Sequence, residues 1–263
     1  MKLPVKPILR RRPIEMLTRL RKRSLKVWKR VSLRKVWKRV SLRIDLQLHG
    51  KTFLRDFYEA SSAVGIRPFL IWGTLLGCVR EGRLLPYDSD VDLGILWSDY
   101  AKKEALVAAM QKRGYSVAID KAYKLKFRRP FCRLLIDVDV FYPWNGKMIS
   151  CLCVEEGNFV ATSFHQNAFD RLREIIFLDD LKVLIPDPPT TVLTTIYGAW
   201  RTPVRSYCRW KDPLNRLLIP PGEPMPRFPI LALDAEAEVK KVPTFTKASS
   251  KISKRRSSAR SGA

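Results

Sequence analysis

Histidine is nearly missing from this sequence. The 263 residues contain two, His49 and His165, and each reads as isolated from any other ligand-type cluster. Neither supports a histidine-based zinc centre or a nucleophile–histidine–acid triad. Cysteine is sparse and unpaired: Cys78, Cys132, Cys151, Cys153 and Cys208 are odd in number and show no C-x-x-C spacing. This argues against a disulfide framework and a thiolate zinc site, and for reduced thiols in a cytoplasmic compartment. Cys151 and Cys153 read as strand residues on one face. Long apolar runs are absent as well. No stretch of about 18 apolar residues occurs, so no spanning helix is expected. The first apolar residues are interrupted by arginines throughout, which does not read as a secretory signal. The expectation is a cytoplasmic protein, peripheral to a membrane at most.

Charge is abundant but uneven. The formal net charge is +25, yet residues 44–238 hold 25 basic and 24 acidic residues. Residues 1–43 hold 17 Lys/Arg against Glu15 alone, and residues 239–263 hold 8 Lys/Arg and no acid. A near-neutral central domain between basic tails points to docking on an anionic surface more than to a nucleic-acid substrate. The reading is therefore a basic N-terminal arm (1–43), one folded domain (44–238) and a basic tail (239–263) without periodicity. Proline-rich sequence begins after Pro213.

The arm contains a tandem repeat: Lys26–Arg34 reads K-V-W-K-R-V-S-L-R, and Lys35–Arg43 repeats it. At 100° per residue, nine residues make about two and a half turns, so the two copies would face opposite sides of a continuous helix. Each copy alone groups a Val-Trp-Val patch framed by basic residues. Trp28 and Trp37 would suit the headgroup level of an anionic membrane. A duplicated basic arm with no single partner, and a nucleic-acid or transit-peptide role, stay open beside that reading.

The central domain supplies its own periodicity. Leu46, Phe53, Leu54, Phe57 and Tyr58 place a helix over 45–62, with Gly65 beyond it. Phe69–Trp72 reads as a short strand running into a Gly73-Thr74 turn. A helix capped by Ser98 or Asp99 should end at Arg113. Tyr115–Ile119, Tyr123–Phe127 and Ile136–Phe141 read as strands, and Pro188-Pro189 precedes a helix over Thr190–Tyr197.

The chemistry concentrates in residues 73–94, G-T-L-L-G-C-V-R-E-G-R-L-L-P-Y-D-S-D-V-D-L-G. Asp88, Asp90 and Asp92 occupy alternate positions of an expected strand and so share one side. Carboxylates so placed repel one another unless a cation, commonly a hard divalent metal holding a phosphate, lies between them. A solvated strand edge would account for a bare D-x-D-x-D. The apolar Val91, Leu93, Ile95 and Leu96 around these acids fit solvation less well. Gly73 would let backbone N–H groups approach a phosphate, with the Thr74 hydroxyl adding a donor.

This segment resembles the LicD/fukutin-type nucleotidyltransferases, whose signature is G-T-L-L-G-x-x-R-x-G-x-x-x-P-x-D-x-D-x-D-x-G. Every fixed position is met from Gly73 to Gly94. Tyr87 stands where the family often has Trp, and Ser89 where bacterial members often have Asp. Two further segments are similar to family elements: L-L-I-D-V-D-V-F-Y-P (134–143), the strand bringing a third carboxylate, and residues 177–203, a hairpin leading to a helix that ends in Tyr-Gly-x-Trp. The resemblance covers residues 50–205.

The resemblance implies an α/β (α+β) fold, a small mixed sheet with helices packed on it. It implies Mg²⁺ or Mn²⁺ held by Asp88, Asp90, Asp92, Asp137 and Asp139. Asp90, Asp92 and Asp139 would be catalytic, Asp139 acting on the acceptor hydroxyl with Asp137 as its alternate. Gly73, Thr74 and Arg80 would bind donor phosphates; a structural pairing of Arg80 with a nearby acid is the competing reading. Trp200 reads as a packing anchor more than a substrate platform. Family members move a phospho-alcohol, such as phosphocholine or ribitol phosphate, from a CDP-activated donor to a glycan hydroxyl, releasing CMP. An RNA-directed nucleotidyltransferase and a non-catalytic glycan- or membrane-binding member are the alternatives.

Overall fold

The computed structural model describes residues 40–121, 123–155, 158–204, 207 and 212–219. Most of the basic arm, most of the proline-rich stretch and the C-terminal tail lie outside these residues. So do the readings attached to them.

A helix, α1, covers described residues 40–63. It buries Leu46, Phe53, Leu54 and Phe57, the residues whose spacing announced it. The helix runs unbroken through 43/44, so Arg43, the last residue of the second repeat copy, belongs to α1. After the short strand β1 (Phe69–Leu70), Gly73 and Thr74 do not form a turn. They open a second helix, α2 (Trp72–Glu81). Strand β2 (Asp90–Leu96) follows, then a 3₁₀ segment (Trp97–Lys102) and α3 (Lys103–Lys112). Asp99 does not cap that helix: its carboxylate accepts the Arg67 N–H at 3.4 Å and pairs with Lys102 at 3.2 Å. With the carboxylate engaged elsewhere, the first turn winds as 3₁₀ and the α-helix starts later.

Strands β3 (Ser116–Lys121), β4 (Lys124–Arg128), β5 (Leu135–Trp144), β6 (Lys147–Glu155) and β7 (Asn158–His165) come next. The hairpin β8 (Leu172–Phe177)–β9 (Leu181–Pro186), helix α4 (Pro189–Tyr197) and β10 (Arg216–Ile219) complete the order. The main sheet runs β1-β2-β5-β6-β7-β10, with β3 and β4 joined on through β5. It is mixed, because β2 and β5 pair in parallel while its other pairs are antiparallel. Cys151 and Cys153 both fall on β6, whose register against β7 shifts between them.

The parallel pair organises the core and the acids together. Val91, Leu93 and Ile95 of β2 are paired with Ile136, Val138 and Val140 of β5, and all six are fully buried. Burial of each such side chain is worth about 1.5–3 kcal/mol. The intervening residues face the other way, because successive side chains alternate. There Asp92 is paired with Asp137, and Gly94 with Asp139. Gly94 is fixed by packing: a Cβ would lie 2.5 Å from the Phe69 ring and 2.9 Å from Phe141. Those rings belong to an aromatic cluster in which Phe69 stacks on Phe169 at 4.8 Å and Phe141 meets Phe164 at 5.7 Å. Apolar packing thus closes one end of the acid-bearing face and leaves carboxylates at the other.

Candidate active site

Asp90 and Asp92 project from the start of β2. Asp88 does not sit on that strand; it lies in the preceding loop. Its backbone N–H bonds the Leu85 carbonyl at 3.1 Å, and its own carboxylate accepts the Ser89 N–H at 3.0 Å. This turn, and not strand periodicity, swings Asp88 in. One carboxylate oxygen from each of Asp88, Asp90 and Asp92 then lies within 4.8 Å of the others.

The first turn of α2 packs directly on these acids. A Cβ on Gly73 would stand 2.0 Å from Asp88 Oδ2 and 3.3 Å from Asp92 Oδ2, so a side chain there would occupy the carboxylates' space. The residue before it, Trp72, takes φ +48°, a conformation that side-chain-bearing residues seldom adopt. Unpaired N–H groups and the helix dipole make this end of α2 receptive to an anion. Thr74 has another task. It is 2 % exposed, and its hydroxyl accepts the backbone N–H of Asp92 at 2.9 Å, so it fastens α2 to β2 and stays off the cavity wall.

A cavity of about 580 Å³ opens over the acids, the size of small-molecule sites. Trp72, Gly73, Arg80, Asp88, Asp90 and Asp92 line it on one side; Tyr197, Trp200, Pro203 and Tyr207 face them from the α4 end. Arg80 joins the two walls. Its guanidinium donates to the Trp200 carbonyl at 3.2 Å, to Glu81 at 3.0 Å and to the Tyr87 hydroxyl. The structural pairing is therefore present, with the side chain still on the cavity wall. Trp200 is buried, and its indole N–H bonds the Thr194 hydroxyl at 3.2 Å. Arg43 also lines the cavity, from an exposed position on α1. The repeat showed that arginine, but not that α1 brings it to the cavity.

Asp137 and Asp139 lie off this wall. They are 2 % and 1 % exposed and absent from the cavity lining. The register of β4 against β5 sets Lys124 opposite Asp139 and Lys126 opposite Asp137. Lys124 Nζ bridges Asp137 Oδ1 at 3.0 Å and Asp139 Oδ1 at 2.8 Å, and Lys126 Nζ reaches Asp137 Oδ2 at 2.6 Å. The Trp72 indole N–H donates to Asp139 Oδ2 at 2.6 Å. Two acids and two lysines form a compact charge-balanced row behind Trp72. Strand periodicity revealed the acids; their lysine partners needed the antiparallel register.

The reading of His49 as isolated from ligand-type residues is also corrected. Asp45 and His49 sit one turn apart on α1, and the fold brings Cys132 to them. Cys78 on α2 is buried, and that burial pushes its thiol up to about 12.

The acids thus stand at the edge of a mixed sheet, beside the N-terminus of α2. Residues 65–187 match the family model LicD/FKTN/FKRP, nucleotidyltransferase domain. It is similar to the human ribitol 5-phosphate transferase FKRP, 38% identical over 95 residues, which cover 33% of this chain and 19% of FKRP. It is 26% identical over 181 residues to human FKTN, a ribitol-5-phosphate transferase, covering 65% of this chain and 35% of FKTN. An uncharacterized protein of Rickettsia prowazekii (strain Madrid E) is 25% identical over 148 residues, 56% of this chain and 53% of that protein. The chain thus spans about half the length of the first curated relatives it matches. A solved structure of ANT(2")-Ia with adenylyl-2"-tobramycin aligns at 14% identity, 58% of this chain, 77% of that chain and TM-score 0.37. No helix among the described residues is long and apolar enough to cross a membrane.

Proposed function

We propose that this protein is a metal-dependent transferase that moves a phospho-alcohol from a CDP-activated donor to a glycan hydroxyl. The observation that carries the proposal is the convergence of Asp88, Asp90 and Asp92 within 4.8 Å on the cavity wall. The donor set is all carboxylate oxygen, which suits Mg²⁺ or Mn²⁺. The absent side chain at Gly73 leaves the space such a cluster needs. The residues therefore fit the metal that the family implies. When bound, it would neutralise charge building up on the transferring phosphoryl group.

The chain's own residues do the rest. Phosphoryl transfer depends mainly on positioning and charge neutralisation. Gly73 and the first turn of α2 offer backbone N–H groups to the donor's diphosphate. Arg43 supplies a cation at the cavity edge. Arg80 holds the Tyr87 and Trp200 walls at a fixed separation and keeps its charge near the diphosphate. Asp139 orients the Trp72 indole and anchors Lys124, a positioning role in place of direct contact with the acceptor. The basic arm would bring the domain to an anionic membrane surface, where a lipid- or surface-linked glycan could be the acceptor.

The experiment is CMP release from a panel of CDP-alcohols in Mg²⁺ or Mn²⁺, with Asp90→Asn alongside. Metal-dependent release that the variant loses supports the reading. No release from any CDP-alcohol, with RNA bound tightly instead, would favour the RNA-directed alternative.

A further inference from the structure

The acid trio is not the only group of metal-type donors. Asp45, His49 and Cys132 each place one ligand atom within 4.8 Å of the others. We propose that they form a second metal site, selective for a borderline divalent ion of the Zn²⁺ class, that clips α1 to the loop entering β5. This proposal stands independently of the transferase reading.

The geometry follows from the helix. Asp45 and His49 are four residues apart, so they project from the same face of α1, about 6 Å apart along its axis. Cys132 comes from the loop between β4 and β5. That loop is already seated against the helix: the Arg133 N–H donates to Asp45 Oδ2 at 3.1 Å, and the Arg133 guanidinium to the Ser41 hydroxyl at 2.9 Å. The first of these bonds holds the Asp45 carboxylate with its other oxygen available for a metal. A tetrahedral ion with bonds of about 2.0–2.3 Å needs ligand atoms about 3.5 Å apart. The donors therefore have to draw in by at most about 1.3 Å, within reach of side-chain rotation.

The donor types set the selectivity. One imidazole nitrogen, one thiolate sulfur and one carboxylate oxygen suit Zn²⁺, whereas Mg²⁺ prefers oxygen alone. The two sites would sort metals by ligand chemistry. Binding forms a metal–sulfur bond and releases the Cys132 thiol proton to solvent. Three protein ligands leave the fourth position to water. Arg43 lies two residues before Asp45, so a metal here would also hold that arginine at the cavity edge.

Co²⁺ titration of the full-length, chelator-stripped protein tests this. One equivalent should produce a near-ultraviolet thiolate-to-cobalt band, and Zn²⁺ should abolish it. Cys132→Ser should remove the band. His49→Ala, at an exposed position, should weaken apparent affinity at least tenfold while circular dichroism without metal stays unchanged. Asp90→Asn should keep the band, which separates this site from the acid trio. No band in the wild-type protein, or a band that survives Cys132→Ser, would overturn the proposal.

Discussion

Lys124 faces Asp139 across the β4–β5 pair, and its Nζ lies 2.8 Å from the Asp139 carboxylate and 3.0 Å from that of Asp137. All three side chains are almost completely buried, so the charges are held in a medium that screens them poorly. Such a group tolerates replacement as a whole far better than the loss of one partner.

Lys124→Met should therefore destabilise the protein by about 3–5 kcal/mol, because two buried carboxylates lose their shared cation. Converting Lys124→Met and Asp139→Asn together should recover part of that loss. Denaturant melts of the single and double variants measure the coupling. Simple additivity would show that the 2.8 Å contact carries no special energy.

Asp90→Asn or Asp92→Asn should lower CMP release at least a hundredfold with little change in melting temperature. Asp139→Ala should lower both activity and stability, since its partners Trp72 and Lys124 are left behind. A stable Asp139→Ala protein that binds donor but fails in transfer would instead return Asp139 to the acceptor chemistry.

Gly73→Ala should abolish metal-dependent activity without unfolding the chain. The new methyl would stand 2.0 Å from Asp88 Oδ2, so Asp88 has to leave the cluster. Thr74→Val tests the neighbouring residue through stability instead. It removes the acceptor for the Asp92 N–H and should cost about 1–3 kcal/mol. Calorimetric Mn²⁺ binding together with thermal melts distinguishes the two effects.

Arg43→Ala should weaken CDP binding about tenfold, whereas Arg34→Ala, the same residue in the first repeat copy, should leave it unchanged. One charge-assisted hydrogen bond is worth about 1.5–3 kcal/mol. Equal affinities across wild type and both variants would remove Arg43 from the donor site.

Deleting residues 26–34 removes one repeat copy, with four basic residues and Trp28. Binding to anionic vesicles should fall partially, and should fall further as salt screens what remains. Sedimentation at two salt concentrations checks both effects.

Some of this was legible in the one-dimensional pattern. The 3.6-residue spacing of Leu46, Phe53, Leu54 and Phe57 announced α1, and the alternation of β2 and β5 announced both strands and their acids. These are local properties, written in residues a few positions apart. The long Gly73–Gly94 pattern resembled the LicD type for the same reason. Local pattern also misled. It placed Asp88 on the strand and made Gly73-Thr74 a turn, because neither the 85–88 turn nor the packing of α2 on the acids has a period.

What required the tertiary structure was every pairing between distant segments. Lys124 meets Asp139 only through the β4–β5 register, and a shift of one residue would turn those lysines to the opposite face. Arg43 reaches the cavity only because α1 packs where it does. Cys132 meets Asp45 and His49 only because the loop before β5 returns to α1. The sequence determined which side chains were available and which way each would point along its own helix or strand, since backbone geometry repeats locally. Which of them became neighbours was decided by packing, where burial of the shared core selects one register and one approach of helix to sheet.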